Sequence, residues 1–236
     1  MPFPADVVEV PDHASYDVSL DCFLLDIVVT SAVTPSIRGS MKACKRITDI
    51  VISLVVLVFA SPVFALIAVI IKCTSPGPVL FRQWRYGLHG KPFVILKFRT
   101  MTVCEDGYHI TLVSKHDRRI TRLGHFLRRF SIDELPQFYN VLKGDMTIVG
   151  PRPHAIAMAN EYMPHIEKSI CRYCVKPGIT GLAQLMGTRG EVESLDLVRR
   201  MVQYDLQYIK TWSVWLDVTL MLRTIYSVLF DNGDVI

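Results

Sequence analysis

Residues 128–153 read RRFSIDELPQFYNVLKGDMTIVGPRP and place charges of both signs beside apolar segments. Two adjacent carboxylates, Asp133 and Glu134, lie between Arg128 and Arg152 in this stretch. Carboxylates bind hard cations such as Mg²⁺, and arginine side chains bind phosphate oxygens through two parallel N–H donors. An acidic pair flanked by arginines therefore indicates a site that holds a metal ion and a phosphate together.

The same stretch contains two signals for the start of a helix. Ser131 and Glu134 fit a capping box, whereas Pro136 fits the first turn of a helix that starts slightly later. Either start puts Asp133 at a helix N-terminus, where free amides and the helix dipole lower the pKa of a carboxylate. An aspartate kept ionised there can attack phosphorus as a nucleophile. The alternative is that Ser131 and Glu134 only cap the helix and that Asp133 is a surface residue.

The composition of the 236-residue chain indicates contact with a membrane and with anions. Half of the residues are hydrophobic and the mean hydropathy is +0.31, which is high for a soluble protein. Residues 1–37 carry only acidic charges, whereas the chain is basic from Arg38 onward. A basic body suits phospholipid head groups, nucleotides or nucleic acid. Nucleic acid is disfavoured, because the aromatic residues are not interleaved with the basic ones as stacking platforms.

The six cysteines do not predict a metal site. Cys171-x-x-Cys174 is the one pair with a suggestive spacing, and neither a second such pair nor a suitable pair of histidines accompanies it. Zinc is therefore disfavoured, and all six thiols are expected to be reduced in a cytoplasmic setting.

Residues 50–71 form an uncharged run flanked by Lys45, Arg46 and Lys72. A helix of that length would span about 33 Å, roughly the thickness of the hydrocarbon core of a bilayer. Ser61-Pro62 lies at its middle, where proline removes an amide and kinks or breaks a helix. A carbonyl freed there needs a partner such as the Ser61 hydroxyl. A helix that spans the membrane, a re-entrant helix broken at Ser61-Pro62 and a buried core helix all remain open on this pattern.

Short strands are predicted at 79–81 and 93–98, with a turn at 87–91 between them. The basic residues of this region either face lipid head groups or contact a substrate directly. They are Arg82, Arg85, Lys91, Lys97 and Arg99.

Helices are predicted at 120–130, 155–170 and 194–210, and two prolines are expected to hold Arg152 on a stiff turn. Residues 212–230 are apolar but include Asp217 and Arg223, which a spanning helix tolerates poorly. An interfacial helix is predicted there, with an ordinary core-facing helix as the alternative. Its aromatic residues include Trp212, Trp215 and Tyr226.

Taken in order, these motifs resemble those of the bacterial sugar transferases, the monotopic polyprenyl-phosphate phosphoglycosyl transferases. The resemblance covers about residues 45–230 and rests on KRITDIVIS, GKPFVILKFRTM, LRRFSIDELPQFYNVLKGDMTIVGPRPH, VKPGITGLAQ and YDLQYIKTWSVWLDV. Within the family, PRPHAIA, KPGITGLAQ and RGE are most similar to undecaprenyl-phosphate glucose phosphotransferases of exopolysaccharide synthesis.

The resemblance implies a two-step reaction. Asp133 would attack the sugar-bearing phosphate of a UDP-sugar, most simply UDP-glucose, and release UMP; undecaprenyl phosphate would then take the sugar phosphate from Asp133. Glu134 and Asp133 would bind Mg²⁺. The phosphate-binding residues would be Arg128, Arg152, Lys97 and Arg99. Galactose and N-acetylated sugars remain open as substrates, and a membrane scaffold without catalytic activity is the alternative from another class.

The resemblance also implies a helix-dominated α+β fold in a monotopic membrane protein. A re-entrant helix–break–helix hairpin over 41–73, broken at Ser61 and Pro62, would precede a catalytic domain over 74–230 with a small β-hairpin and interfacial amphipathic helices. The domain would lie on the cytoplasmic face of the bacterial inner membrane, in contact with phospholipids. Longer members have further N-terminal domains, so a short catalytic form is expected. Residues 1–40 would be a lead-in of unassigned role and 231–236 a tail, and a homodimer is left open.

Overall fold

The computed structural model describes residues 40–102, 117–187 and 195–230. The helices are α1 Ser40–Thr74, α2 Arg122–Arg129, α3 Gln137–Lys143, α4 Ile156–Tyr162, α5 Leu182–Leu185, α6 Leu195–Thr211 and α7 Val214–Phe230. The strands are β1 Leu80–Tyr86, β2 Pro92–Phe98, β3 Thr147–Val149 and β4 Gly178–Thr180, and short 3₁₀-helices cover Leu88–Gly90, Ile132–Glu134, Met163–His165 and Ser169–Cys174. The predicted helix-dominated α+β class is confirmed, whereas the lead-in before Ser40 and the tail lie outside the described residues.

The long apolar segment forms one helix, α1, which continues through Pro62. The predicted break into two helices at Ser61 and Pro62 is not confirmed. Pro62 has no N–H group to donate to the carbonyl of Val58 four residues earlier. The hydroxyl of Ser61 donates to that same carbonyl at 2.7 Å. The acceptor that proline leaves unpaired is therefore satisfied locally, and the helix continues without an interruption.

Most of α1 does not pack against the rest of the chain. The segment Met41–Thr74 is long and apolar enough to cross a membrane. Its apolar 18-residue stretch has a mean hydropathy of 3.0, and only 11% of that stretch is buried. Phe59, near its middle, is 79% exposed, and Val58 and Leu66 are exposed as well. This exposure excludes the alternative of a buried core helix.

The first turns of α1 are held to the body by polar contacts. Arg46 donates to the carbonyls of Val141 and Leu142 at 2.6 and 2.8 Å and so caps the C-terminal end of α3. The carboxylate of Asp49 accepts hydrogen bonds from Thr147 Oγ1 at 2.7 Å and from the amide of Ile148 at 3.0 Å. These contacts fasten α1 to the edge of β3.

The last turns of α1 contact the same body through apolar side chains. Ile67 and Ile71 are buried together with Phe98 and Leu127. The ring of Phe64 meets that of Phe98 edge-on, with the ring centres 5.3 Å apart. Both ends of α1 are therefore attached to one folded unit, while its middle is exposed.

Two small sheets position the segments that follow α1. Strands β1 and β2 form the predicted antiparallel hairpin, joined by residues 87–91, and β1 extends beyond the predicted 79–81 to Tyr86. Strands β3 and β4 are parallel. Their backbones come so close that a Cβ atom on Gly178 would lie 2.1 Å from the amide nitrogen of Gly150. Glycine at 178 is thus required for this close approach.

The helix predicted over 155–170 is shorter than expected. Helix α4 ends at Tyr162 and gives way to the 3₁₀-helices Met163–His165 and Ser169–Cys174. Pro164 explains the difference, because proline cannot donate to the preceding turn and clashes with it.

Helix α7 confirms the core-facing alternative for one of its sides, and the interfacial location predicted for residues 212–230 stays a prediction. Its inner side packs on the core through Leu220, and Trp212 just before it is also buried. Its outer side is apolar and exposed, with Trp215 80% exposed and Tyr226 and Phe230 exposed further along. The helix therefore packs on the core with one side and presents an apolar surface on the other.

The attachment of α1 to β3 predicts a strong effect of Asp49→Ala. The substitution leaves the Thr147 hydroxyl and the Ile148 amide buried without an acceptor, so we expect a loss of about 2–4 kcal/mol of unfolding free energy. Thermal unfolding of the purified protein in detergent measures it. Asp196→Ala is the matched control, because it removes only the exposed contact with Arg199 and should change stability by less than about 0.5 kcal/mol. Equal effects of the two substitutions would contradict the assigned role of Asp49.

Candidate active site

Asp133 and Glu134 lie in the short 3₁₀-helix Ile132–Glu134, and Pro136 immediately precedes α3. The two helix-start signals therefore mark two different elements. Ser131 has a left-handed backbone, with φ of 52°, and its side chain does not cap the turn. The capping box predicted for Ser131 and Glu134 is wrong, because the Glu134 carboxylate is bound by side chains from elsewhere in the fold.

Glu134 is the centre of a buried ion cluster. Its Oε1 atom accepts from Lys97 Nζ and from Arg152 Nη2, both at 2.7 Å, and its Oε2 atom accepts from Arg152 Nη1 at 3.3 Å. Lys97 comes from β2 and Arg152 from the turn after β3. Burial alone would raise the pKa of Glu134, but the charges of Arg152 and Lys97 outweigh it and hold that pKa well below its usual range. Glu134 is thus ionised.

Asp133 is buried as well, but its carboxylate is not paired. Within the described part of the chain, its carboxylate oxygens have no hydrogen-bond donor or salt-bridge partner. Burial raises the pKa of Asp133 to about 6, and the charge of Glu134 adds to the rise, while Lys97 and Arg128 oppose it. The expectation that a helix N-terminus lowers this pKa is wrong, because loss of solvent outweighs the few amides of a single 3₁₀ turn.

The structure brings Arg128 to this site but not Arg99. Arg128 Nε donates to Thr100 Oγ1 at 2.9 Å, and its charge lowers the pKa of Asp133. Arg99 is buried and donates to the carbonyl and hydroxyl oxygens of Ser75, both at 2.7 Å, and to the carbonyl of Pro76. Arg99 therefore fastens the loop after α1, and its predicted role in binding phosphate has no support in this geometry.

Two residues beside the cluster were not predicted as site residues: Arg85, which was placed only in a general basic region, and His154. Arg85 donates to the carbonyl of Pro153 and, at 2.6 Å, to Gln83 Oε1. Burial, together with the charge of Arg152, lowers the pKa of Arg85 to about 10. Burial also holds the pKa of His154 well below its usual range, and neighbouring arginines add to this effect. Arg85 is one of several basic residues on β1 and β2, and no local pattern distinguished it from those at the surface.

A second buried ion pair lies behind the Arg152 turn. Arg172 Nη2 donates at 2.7 Å to Asp205 Oδ2 and at 2.7 Å to the backbone carbonyl of Arg152. Asp205 lies on α6 among Val198, Met201 and Val202, which form its buried side. A carboxylate on an otherwise apolar helix side was the available sequence signal for such a pair.

Asp133 and Glu134 fit one kind of magnesium site. Nowhere in the described residues do three His, Cys, Asp or Glu side chains come together as ligands. Mg²⁺ commonly binds one or two carboxylates and completes its shell with water and substrate phosphates. Asp133 has a carboxylate without a partner among the described residues, whereas both oxygens of Glu134 already bind Lys97 or Arg152, so these two residues could hold Mg²⁺ only together with a bound diphosphate.

The two carboxylates are expected to respond in opposite ways to loss of charge. Glu134→Gln leaves Lys97 and Arg152 buried without their counter-ion, so it should lower the unfolding free energy by about 3 kcal/mol. Asp133→Asn removes an unpaired buried carboxylate and should be neutral or stabilising. Thermal unfolding of the two variants side by side in the same detergent checks this. A destabilised Asp133→Asn variant would show that Asp133 has a structural partner.

Comparison with known proteins is consistent with the motifs and the geometry. Residues 40–231 match the family model described as bacterial sugar transferase. The chain is 48% identical over 191 residues to the UDP-glucose:undecaprenyl-phosphate glucose-1-phosphate transferase of Escherichia coli. The aligned region covers 81% of this chain and 41% of that protein. It is 47% identical over 195 residues to the protein of the same name from Caulobacter vibrioides. Here the aligned region covers 83% of this chain and 73% of that protein.

A third relative is named for a different sugar. It is the UDP-N-acetylgalactosamine-undecaprenyl-phosphate N-acetylgalactosaminephosphotransferase of Aeromonas hydrophila, 40% identical over 189 residues, covering 80% of this chain and 44% of that protein. The chain thus spans less than half the length of the Escherichia coli and Aeromonas hydrophila proteins. The family model covers most of the chain and the Caulobacter vibrioides protein matches along most of its length, so the chain belongs to the bacterial sugar transferase family.

Proposed function

We propose that this chain transfers glucose-1-phosphate from UDP-glucose to undecaprenyl phosphate, releases UMP, and so begins assembly of an exopolysaccharide repeat unit. The observation that carries the proposal is the contrast between two adjacent buried carboxylates. Glu134 is bound by Lys97 and Arg152, whereas Asp133 has no hydrogen-bond or salt-bridge partner within the described residues. An unpaired carboxylate beside a cluster of cations suits attack on a phosphorus atom.

The proposed reaction has two displacements at the sugar-bearing phosphorus. In the first, a carboxylate oxygen of Asp133 forms a bond to that phosphorus, and the bond to UMP breaks with the electron pair leaving on the UMP oxygen. In the second, an oxygen of undecaprenyl phosphate attacks the same phosphorus and the acyl phosphate bond breaks. This restores the Asp133 carboxylate and yields undecaprenyl-diphosphate-glucose.

The residues next to Asp133 would bind the diphosphate and neutralise its negative charge. Because the pKa of Asp133 is about 6, its carboxylate is mainly ionised at neutral pH and still more basic than an ordinary aspartate. Lys97 has three N–H donors and gives one to Glu134, which leaves capacity for a phosphate oxygen. Arg128, whose charge also acts on Asp133, can bind a second phosphate oxygen. Mg²⁺ held by Asp133 and Glu134 would neutralise charge on the leaving group.

Glucose is the preferred sugar on the strength of the relatives. The Escherichia coli and Caulobacter vibrioides proteins, at 48% and 47% identity, are named for UDP-glucose, and the Aeromonas hydrophila protein named for N-acetylgalactosamine is less similar at 40%. A panel of UDP-sugars in a UMP-release assay tests the choice. We expect kcat/KM to be highest for UDP-glucose, and a higher value for an N-acetylated sugar would reassign the donor.

The membrane arrangement that fits best is re-entrant: α1 would bend at Pro62 inside the bilayer, so that both of its ends lie on the cytoplasmic side of the inner membrane. Asp49 near the start of α1 and Ile71 near its end both contact the same folded body. A helix that crossed the bilayer once would have to leave one end on the opposite side. In the re-entrant arrangement, the exposed apolar middle of α1 would lie in the lipid, and the exposed side of α7 would lie at the interface.

Asp133→Asn should abolish transfer. The amide cannot form the acyl phosphate, so we expect release of UMP from UDP-glucose to fall by at least roughly a thousandfold. Intact-mass analysis after mixing with UDP-glucose should show a phosphoglucose adduct on the unaltered chain and none on the variant. Asp145→Asn, a nearby change in the turn before β3, serves as the control and should retain activity.

Full turnover by Asp133→Asn would remove Asp133 from the role of nucleophile. If the unaltered chain releases no UMP in the presence of Mg²⁺ and undecaprenyl phosphate, the chain is a membrane scaffold and the transferase proposal fails.

Two natural cysteines test the membrane arrangement. Cys44 and Cys73 lie near opposite ends of α1 and both are exposed. In variants that retain only one of the two, a membrane-impermeant maleimide should label either cysteine in inside-out vesicles and neither in intact spheroplasts. Labelling of the two cysteines from opposite sides would establish a helix that crosses the bilayer once. A variant without cysteines controls for non-specific labelling.

A further inference from the structure

The turn that carries Arg152 has an unusual backbone. Pro151 and Pro153 flank Arg152, and neither proline has an N–H group. Their amides therefore cannot help to fix the turn, and its three carbonyl groups become the main points of attachment. The position of Arg152 matters because its guanidinium binds both carboxylate oxygens of Glu134.

Each of the three carbonyls has a donor from a different part of the chain. The carbonyl of Pro151 accepts from the amide of Gly178 at 2.8 Å, and that of Pro153 accepts from Arg85. The carbonyl of Arg152 itself accepts from Arg172 Nη2 at 2.7 Å. Of the three donors, Arg172 is thus the one that binds Arg152 itself, the residue that contacts Glu134.

The position of Arg172 is in turn fixed by Asp205. The side chains of Arg172 and Asp205 are 2% and 3% exposed, and their charged atoms lie 2.7 Å apart. Arg172 Nε and Nη1 are buried without a partner of good geometry among the described residues. Burying an ion pair with incomplete hydrogen bonding is costly, and apolar residues of similar volume are often as stable or more so. Stability of the fold alone therefore does not account for this pair.

We propose that Arg172, oriented by Asp205, is a positioning residue that fixes the backbone of Arg152 and thereby the contact between Arg152 and Glu134. Arg172 acts through Arg152 and is not assigned a contact with substrate. The expected effect on turnover rests on the proposed transferase function, whereas the effect on the turn itself does not.

A pair of substitutions separates positioning from stability. Arg172→Met alone, or Asp205→Leu alone, leaves one charged side chain buried without its counter-ion. Each should therefore lower the melting temperature by roughly 10 °C. The double variant Arg172→Met/Asp205→Leu removes both charges at similar volume and should regain most of that loss. Its kcat/KM for UDP-glucose should nevertheless stay about tenfold to a hundredfold below that of the unaltered chain, because the turn is no longer fixed. A double variant that regains both stability and kcat/KM would show that the pair is only structural.

Amide hydrogen exchange supplies a readout that does not need catalysis. The amides of Gly150 and Gly178, which bond to Thr180 and Pro151 across this turn, should exchange faster in the double variant. The amides of the β1–β2 hairpin serve as the internal control and should be unchanged. Unchanged exchange at Gly150 and Gly178 would overturn the proposal. If the unaltered chain released no UMP, the transferase function would fail, but the exchange result would still decide the role of Arg172.

Discussion

The site depends on two adjacent buried carboxylates, of which one is neutralised by bound cations and the other is not. Glu134 binds Lys97 and Arg152 at 2.7 Å, and these contacts join β2, the turn after β3 and the 3₁₀-helix between α2 and α3. Removing either partner would leave a buried charge, so the three segments must keep their relative positions. Asp133 receives no such contact within the described residues, and burial raises its pKa to about 6. The same buried surroundings thus make one carboxylate a fixed ion and leave the other available to react.

The polar contacts at the start of α1 serve a purpose that apolar contacts cannot. Lipid tails are as apolar as the side chains of a membrane helix, so apolar packing alone does not favour the body over the bilayer. Lys45 donates to Asp217 and to the carbonyl of Val149, at 2.5 and 3.0 Å, and Tyr208 and Trp212 also bond to Asp217. These partners come from β3, α6, α7 and the link between α6 and α7, so several separate segments fix the position of the helix.

Sequence patterns predicted local elements well and contacts across the fold poorly. The β-hairpin, α2, α6 and α7 follow from periodicity and turn residues, and the acidic pair with its flanking arginines indicated the site. Sequence reasoning falls short where a partner distant in sequence decides which contact a side chain makes. Arg99 is bound by the loop at Ser75, and Glu134 is bound by Lys97 instead of capping a helix. Asp205 was detectable as a carboxylate on an apolar helix side, but its partner Arg172 was not.

The two cations that bind Glu134 come from the two segments to which α1 is attached. Successive side chains of a strand point to opposite faces, and on β2 Phe98 packs against the end of α1 while Lys97 binds Glu134. On β3, Thr147 and Ile148 bind Asp49 near the start of α1, and the chain continues from there to Arg152. A shift of either end of α1 would therefore move one of the cations that hold Glu134. It follows that the long apolar helix is part of the framework of the site, and that the site lies close to where that helix leaves the bilayer in the proposed arrangement.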